Sequence, residues 1–423
     1  MNTLNTISIQ NNTLLDKTQY TVWVAGFIKQ VKAGQPEYWS LQTNGSFQKS
    51  TGTASYIAIN NGMVVNVPDL PNLGDNRLVF TITKVGSPKP SPLSPIKGYT
   101  AYPFQNKPGV PPPGPYDIFE FGPNAQYDTS AVDSFGLNLS FQVKNDNLNY
   151  GVIPTMKRKQ IETAYSSFVT SDPYGKYFKD LLYKSPTGTG YPDQIDNQFR
   201  AIVSPKDWLA IYPDTPGLST YWDNTITSFF KSGNQLSIYL NAATVGTYEG
   251  SCDGTQYTLS GPNNLTIVIP ASDFTSANQG FLQSVRSIKP GESQAEYDAF
   301  SQLEAAIFEA LSRGVLLDGV AQVGTTIPTH YSSHSWIDSA YWYTDHKNTY
   351  DQKPSVYDAY AKFLHKGGFF GLNKAKTFGM AYGFSLDEDP NVGSWSPSEG
   401  VPSKTAYNVG KKQDVTLNIG PWS

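Results

Sequence analysis

A single cysteine, Cys252, stands in a chain of 423 residues, so no intrachain disulfide can staple the fold. A chain of this length needs none, because its core is large enough without one. No stretch approaches the ~18 uninterrupted apolar residues of a membrane-spanning helix, so no membrane partner is expected. Charge is scarce as well: Asp, Glu, Lys and Arg make up 16% of the chain, against a usual ~25%. The 31 basic and 35 acidic residues leave a formal net charge of −4, and the basic ones are scattered. That distribution lacks the footprint of a nucleic-acid binder, so no nucleic acid is expected either. Met1 to Asn12 has no basic region followed by a long apolar one, and no signal peptide is read there.

What stands in place of charge is aromatic and neutral polar. Tyr, Phe and Trp number 27, 22 and 8, together 13% of the chain. Such a surface suits neutral, hydroxylated ligands such as sugars, whose ring faces stack on aromatics while their hydroxyls bond amides and hydroxyls. The same composition describes an aromatic β-rich core, and composition alone leaves both readings open.

Along the chain, the first 150 residues alternate with period two in Ile7-Ser8-Ile9, Tyr20–Val24, Tyr56–Ile59 and Leu78–Ile82, with Gly, Pro and Asn between. Short strands separated by turn residues predict a β-sandwich or barrel. The Pro-rich stretch from Gly86 to Pro115 cannot be a central strand. Two further strands are expected at Tyr116–Phe121 and Ala131–Lys144. After Tyr150 the texture changes. Apolar residues at three- and four-residue intervals predict helices at Lys157–Val169, Tyr174–Tyr183, Ser219–Lys231, Gln294–Arg313 and Ser355–His365. In the fourth of these, Phe300, Leu303, Ile307, Phe308 and Leu311 share one face and Gly314 stands where the helix should stop. Strands are expected between, at Gln235–Leu240, Thr247–Tyr248, Gln256–Leu259 and Leu265–Ile269, and later at Thr377–Leu386. The class is mainly β with α+β, without repeats or low-complexity linkers.

Two acids stand out. Hydrolysis of a glycosidic bond needs one carboxyl that donates a proton to the leaving oxygen and one carboxylate that activates water. Glu120 lies in Asp117-Ile118-Phe119-Glu120-Phe121, where alternation puts it on the face of Ile118 and opposite the phenylalanines. Asp133 lies in Ser130-Ala131-Val132-Asp133-Ser134-Phe135, where a strand begins. A connection through Gly122-Pro123-Asn124 could bring both to one groove, although any acid at a strand edge can simply be solvated.

The run from Glu120 through Asn124 to Thr129–Phe135 resembles the catalytic region of the β-1,3-glucanases of glycoside hydrolase family sixty-four. Ile7–Asn12 is similar to that family's opening strand, Arg200–Pro205 to an interior one, and Tyr221–Lys231 with Leu236-Ser237-Ile238 to its helix-to-strand passage. Tyr360–His365, followed by Ala381–Glu388, looks like its closing helix and terminal motif. These landmarks follow the family's order over nearly the whole chain.

The resemblance implies a thaumatin-like architecture. A β-barrel or sandwich domain at 1–150 would carry the acids, an α/β domain would span 151–375, and a C-terminal strand and tail at 376–423 would return to the β-domain across a wide cleft. It implies hydrolysis of β-1,3-glucan with inversion, releasing short laminari-oligosaccharides, with Glu120 as general acid and Asp133 as general base. Substrate contacts would fall at Asn124, Tyr127 and Ser130, and at Asp387 and Glu388 from the C-terminal strand. No cofactor or metal is implied; the partner is the polysaccharide, and the protein is expected to be a secreted monomer. The sequence departs from the family in a shorter, Trp-free connection between the acids and in Glu388 where Asp is usual. Because fold does not fix function, a non-catalytic glucan-binding, defence or toxin protein on the same scaffold is the alternative. Such a binder has no need of both acids.

Other candidates read as structural. His330 and His334 stand four apart upstream of Asp345-His346, but Pro328 and the serines around them argue for a loop rather than a metal-binding helix. His365 suits a helix C-terminus, and Cys252 has no histidine nearby to activate it. Trp336, Tyr341, Trp342, Tyr343 and Trp395 fit either sugar platforms or core.

Overall fold

Two sheets meet across the apolar residues that the period-two pattern picks out. A computed structural model describes residues 3–93, 115–184, 199–366 and 407–422, apart from 33–34, 51–52, 71–72, 122–125, 132, 145, 241–244, 276–279, 282–286, 321–329 and 339. The five-stranded sheet contributes Ile7, Ile9, Leu139, Phe141, Val415 and Leu417 to the shared core. The eight-stranded sheet contributes Val22, Val24, Leu78, Phe80, Phe119 and Phe121. Full burial of each such side chain stabilises the fold by ~1.5–3 kcal/mol before entropy is counted. Asp414–Ile419 lies between Thr3–Asn11, to which it runs parallel, and Leu139–Val143, to which it runs antiparallel. Both ends of the described chain therefore close the sandwich.

In the eight-stranded sheet the central antiparallel ladder runs Tyr20–Lys32, Leu73–Lys84, Tyr116–Phe121, Gln126–Ser130. Its other face is covered in part by a small cluster of Ala25, Phe27, Tyr56, Val79, Tyr116 and Ile118.

The second large core belongs to a six-stranded sheet and its helices. The helix Gln294–Arg313 has the bounds the sequence predicts. Ser293 and Glu296 form a reciprocal capping box at its start, and Gly314, with φ 79°, ends it in the left-handed conformation that glycine alone adopts cheaply. The strand Gln235–Leu240 also matches, and the helix Arg158–Ser171 lies within two residues of expectation. The closing helix starts later than expected, at Ala359.

The expected strand Ala131–Lys144 is not continuous. It is two pieces, Ser134–Phe135 and Leu139–Val143, that belong to different sheets. The first pairs with Phe199–Val203, and Ala131 and Phe135 pack in the second core, whereas Leu139 and Phe141 pack in the first. Between the pieces, Gly136 crosses so close to the strand Tyr116–Phe121 that an added Cβ would lie 2.0 Å from the Tyr116 carbonyl oxygen. Periodicity cannot signal this crossing, because apolar residues are needed on both sides of it. The sandwich and the α/β part thus interlock through the segment that carries Asp133.

Candidate active site

On the ladder, Arg77 is the direct cross-strand partner of Glu120, and Glu120 of Asp128. Directly opposed residues point to the same face, so the three form one charged row behind the Phe119 and Phe121 face. The Arg77 Nε lies 2.7 Å from Glu120 Oε1. Oε1 is buried, yet 19% of the Glu120 side chain is exposed. The exposure therefore falls on the remainder of the side chain, where a ligand can reach it.

Asp133 is fixed from several directions. Its carbonyl accepts the Ser204 N–H at 2.9 Å, and the next residue, Ser134, pairs with Val203. Two residues earlier, the Ala131 carbonyl accepts the hydroxyl of Tyr360 from the closing helix. Three residues later, the Gly136 and Leu137 N–H groups both donate to Asp117 Oδ2 at 3.1 Å, while Ile118 N–H donates to Asp117 Oδ1. Burial pushes the Asp117 carboxyl up to about 7 despite those bonds and the nearby Arg158. Asp117 and Glu120 thus sit on one strand, the first tying down the Asp133 segment and the second facing the opening.

The Asp133 carboxylate meets a buried network. Lys206 Nζ donates to Asp133 Oδ1 at 2.6 Å and to Asp207 Oδ1 at 3.2 Å, and all three side chains are about 10% exposed. Lys206 and Asp207 open the helix Pro205–Ile211, whose N-cap Ser204 accepts the Asp207 N–H. Burial alone would raise Asp133, but Lys206 and then Arg77 outweigh it and hold the carboxyl below its ordinary value. Asp207 goes the other way, pushed up to about 7 by burial and by Asp133 against the pull of Lys206. Arg77 therefore links the two candidate acids, ion-paired with Glu120 and acting through its charge on Asp133. Chemically, the arrangement offers a carboxyl held below its ordinary value by Lys206 and Arg77, and a second, partly exposed carboxyl ion-paired with the same Arg77.

A model of the β-1,3-glucanase family matches residues 75–394, a span that includes Arg77, Glu120, Asp133, Lys206 and Asp207. The chain belongs to glycoside hydrolase family 64. It is a glycoside hydrolase of the β-1,3-glucanase type. Among solved structures it is similar to the β-1,3-glucanase domain of this family from Clostridium beijerinckii, at 16% identity and a TM-score of 0.60, over 99% of this chain and 98% of that one. It is also similar to a laminaripentaose-producing β-1,3-glucanase in complex with laminaritetraose, at 13% identity and a TM-score of 0.62, over the full length of both chains. At such identities the likeness establishes the fold. A comparison with curated proteins finds no match.

Within this family 64 fold, the other expected contacts distribute unevenly. Tyr127 needs correction: it is 1% exposed, packs edge-on against Phe119 and Phe121, and its hydroxyl accepts the amide of Asn5 at 2.9 Å. It belongs to the sandwich core, because alternation places it opposite Phe121, on the face away from Glu120. Ser130 sits opposite Ile118 in the ladder. Asn124, Asp387, Glu388, Trp395 and the expected strand Thr377–Leu386 lie outside the described residues.

Trp336 and Trp342 are buried, with Trp342 donating to the Trp336 carbonyl, and Tyr343 is 4% exposed. They serve the core; Tyr341 is exposed and packs beside the His346 ring. His346 bonds Asp318 at 2.7 Å, with Thr344 and Ser355 on its remaining contacts. Among the described residues no group of three or more His, Cys, Asp and Glu side chains could hold a metal ion. Cys252 is buried, and burial pushes its thiol up, away from nucleophilic use.

The sequence reading missed Arg77, Lys206, Asp207 and Asp117. For Arg77 the signal was present, since alternation from Leu78 and Phe80 puts it on the Glu120 side of the sheet. For Lys206 and Asp207, Ser204-Pro205 is a helix-start pattern that was read as the end of a strand.

Proposed function

We propose that the protein hydrolyses β-1,3-glucan by a single inverting displacement, with Glu120 as general acid and Asp133 as general base, and releases short laminari-oligosaccharides. Glu120 gives its proton to the glycosidic oxygen as the bond to the anomeric carbon breaks. Asp133 takes a proton from the water that attacks that carbon from the opposite face. An inverting pair needs its carboxyls ~6.5–9.5 Å apart so that this water fits between. Acid and base assistance are each worth ~10²–10⁴-fold.

The observation that carries this reading is the guanidinium of Arg77, which is ion-paired with Glu120 and through its charge lowers the Asp133 carboxyl. Glu120 keeps more of its side chain exposed than Asp133, at 19% against 10%, and Asp133 has Lys206 as a second cation, so the two carboxyls have unlike surroundings. Both come from one chain, so a monomer suffices, and an extended extracellular polysaccharide calls for a secreted enzyme. The test is release of reducing ends from linear β-1,3-glucan with β-1,4-glucan as control. Release from the first alone is expected. Release from neither, by folded protein at mildly acid and neutral pH, would overturn the reading.

A further inference from the structure

The helix Pro205–Ile211 brings two charged side chains, Lys206 and Asp207, into the interior beside Asp133. Asp133 Oδ1 receives Lys206 at 2.6 Å, and Lys206 also reaches Asp207 Oδ1. Asp207 Oδ2 is buried with no donor serving it. A buried carboxylate oxygen in that position is costly, whereas the same oxygen carrying a proton becomes a donor. A side-chain hydrogen bond joins the Asp207 and Asp133 carboxyls. The remaining groups around the pair are Arg77 from the ladder and the buried Tyr116 hydroxyl, which Asp133, Asp207 and Asp117 all influence.

We propose that Lys206 and Asp207 are positioning residues for the general base: Lys206 holds Asp133 ionised, while Asp207 retains its proton and donates it in a hydrogen bond that fixes the direction of the Asp133 carboxylate. This rests on the reading of Asp133 as the base. A carboxylate has about four lone-pair sites, so two fixed donors leave room for the attacking water and decide where it binds. Burial supports the assignment, because it drives Asp207 up to about 7 while Lys206 and Arg77 keep Asp133 low. The pair shares one proton and titrates as a unit.

The experiment compares kcat, KM and pH profiles on linear β-1,3-glucan for Asp207→Asn, Asp207→Leu and Lys206→Met, with Asp133→Asn as control. The Asn amide can still donate to Asp133, so Asp207→Asn should keep kcat within about fivefold of wild type. Asp207→Leu fills the volume without a donor and should lose kcat by ~10–100-fold with KM within about twofold. In Lys206→Met the acidic limb of kcat/KM should move up by about one pH unit or more, because the largest charge that stabilises ionised Asp133 is gone. If Asp207→Asn loses as much as Asp207→Leu, the donor role is overturned; if Lys206→Met leaves the acidic limb in place, the role of Lys206 is overturned. Should Lys206→Met not fold, the two Asp207 variants decide between donor and volume. An active Asp133→Asn would overturn the base assignment itself, an outcome distinct from an inactive Asp133→Asn with indifferent Asp207 variants.

Discussion

Glu120 projects from an unbroken antiparallel ladder, with Arg77 as its cross-strand partner and 19% of its side chain open to solvent. Asp133 lies in an irregular segment between two cores, held by Ser204, Asp117 and Tyr360 and sealed against Lys206. The first is placed by local periodicity; the second is placed by distant contacts to its segment, among them Tyr360 on Ala131, 229 positions apart. Two carboxyls of similar intrinsic acidity thereby acquire different surroundings. Lys206 and Arg77 hold Asp133 below its ordinary value and Glu120 keeps partial exposure, surroundings that suit the base and acid roles proposed for them.

The largest effect should come from removing either carboxyl. Glu120→Gln and Asp133→Asn should each lower kcat on linear β-1,3-glucan by ~10²–10⁴-fold while the far-ultraviolet spectrum stays native. The two should part on substrates with an activated leaving group, which needs no acid: Glu120→Gln regains much of its rate there and Asp133→Asn does not. Equal recovery by both would break the contrast.

Next in size is Gly136→Ala. The new methyl would press on the Tyr116 carbonyl, a backbone atom that cannot turn aside, at a cost of ~1–3 kcal/mol. Because the displaced segment carries Asp133 and not Glu120, kcat should fall more than the loss of folded protein explains. A variant with native stability and activity would show that the crossing is loose.

How much of this was legible beforehand follows the same divide. Glu120 could be placed from Ile118, Phe119 and Phe121 alone, and the helix Gln294–Arg313 from the shared face of Phe300, Leu303, Ile307, Phe308 and Leu311 and from Gly314, because local rules govern both. The surroundings of Asp133 were not legible. Lys206 comes from a helix 73 residues along the chain, and Tyr127, expected from the resemblance to contact substrate, is turned into the core by the ladder register. Lys206 and Asp207, which are buried against propensity, were recognisable only once the fold had brought them to a third charge.

A smaller effect concerns pH. Asp117 and Asp207 are both raised to about 7 in the fold, against ~3.9 in an unfolded chain. Between those values the folded state binds more protons, so stability falls as pH rises from about 4 to about 7 and levels off above. Asp133, held below its ordinary value, works in reverse and loses its contribution as pH falls through its folded pKa. The melting temperature should therefore be higher at pH 5 than at pH 8, and Asp117→Asn should narrow that gap. An unchanged gap would take Asp117 out of the balance.

The smallest effect is expected at Tyr127→Phe. Losing the bond to Asn5 should cost ~0.5–1.5 kcal/mol of stability, with kcat and KM for glucan unmoved. A raised KM would return Tyr127 to the groove.

Of all these comparisons, the proposed division of labour between Glu120 as acid and Asp133 as base is tested most directly by the stereochemistry of the first product. Linear β-1,3-glucan should be hydrolysed in a proton NMR tube and the anomeric signals followed from the first turnovers. Inversion by Glu120 and Asp133 predicts that the α-anomer of the released oligosaccharide accumulates first and then mutarotates. Initial release of the β-anomer would contradict the account, because it requires one of the two carboxylates to attack the sugar itself.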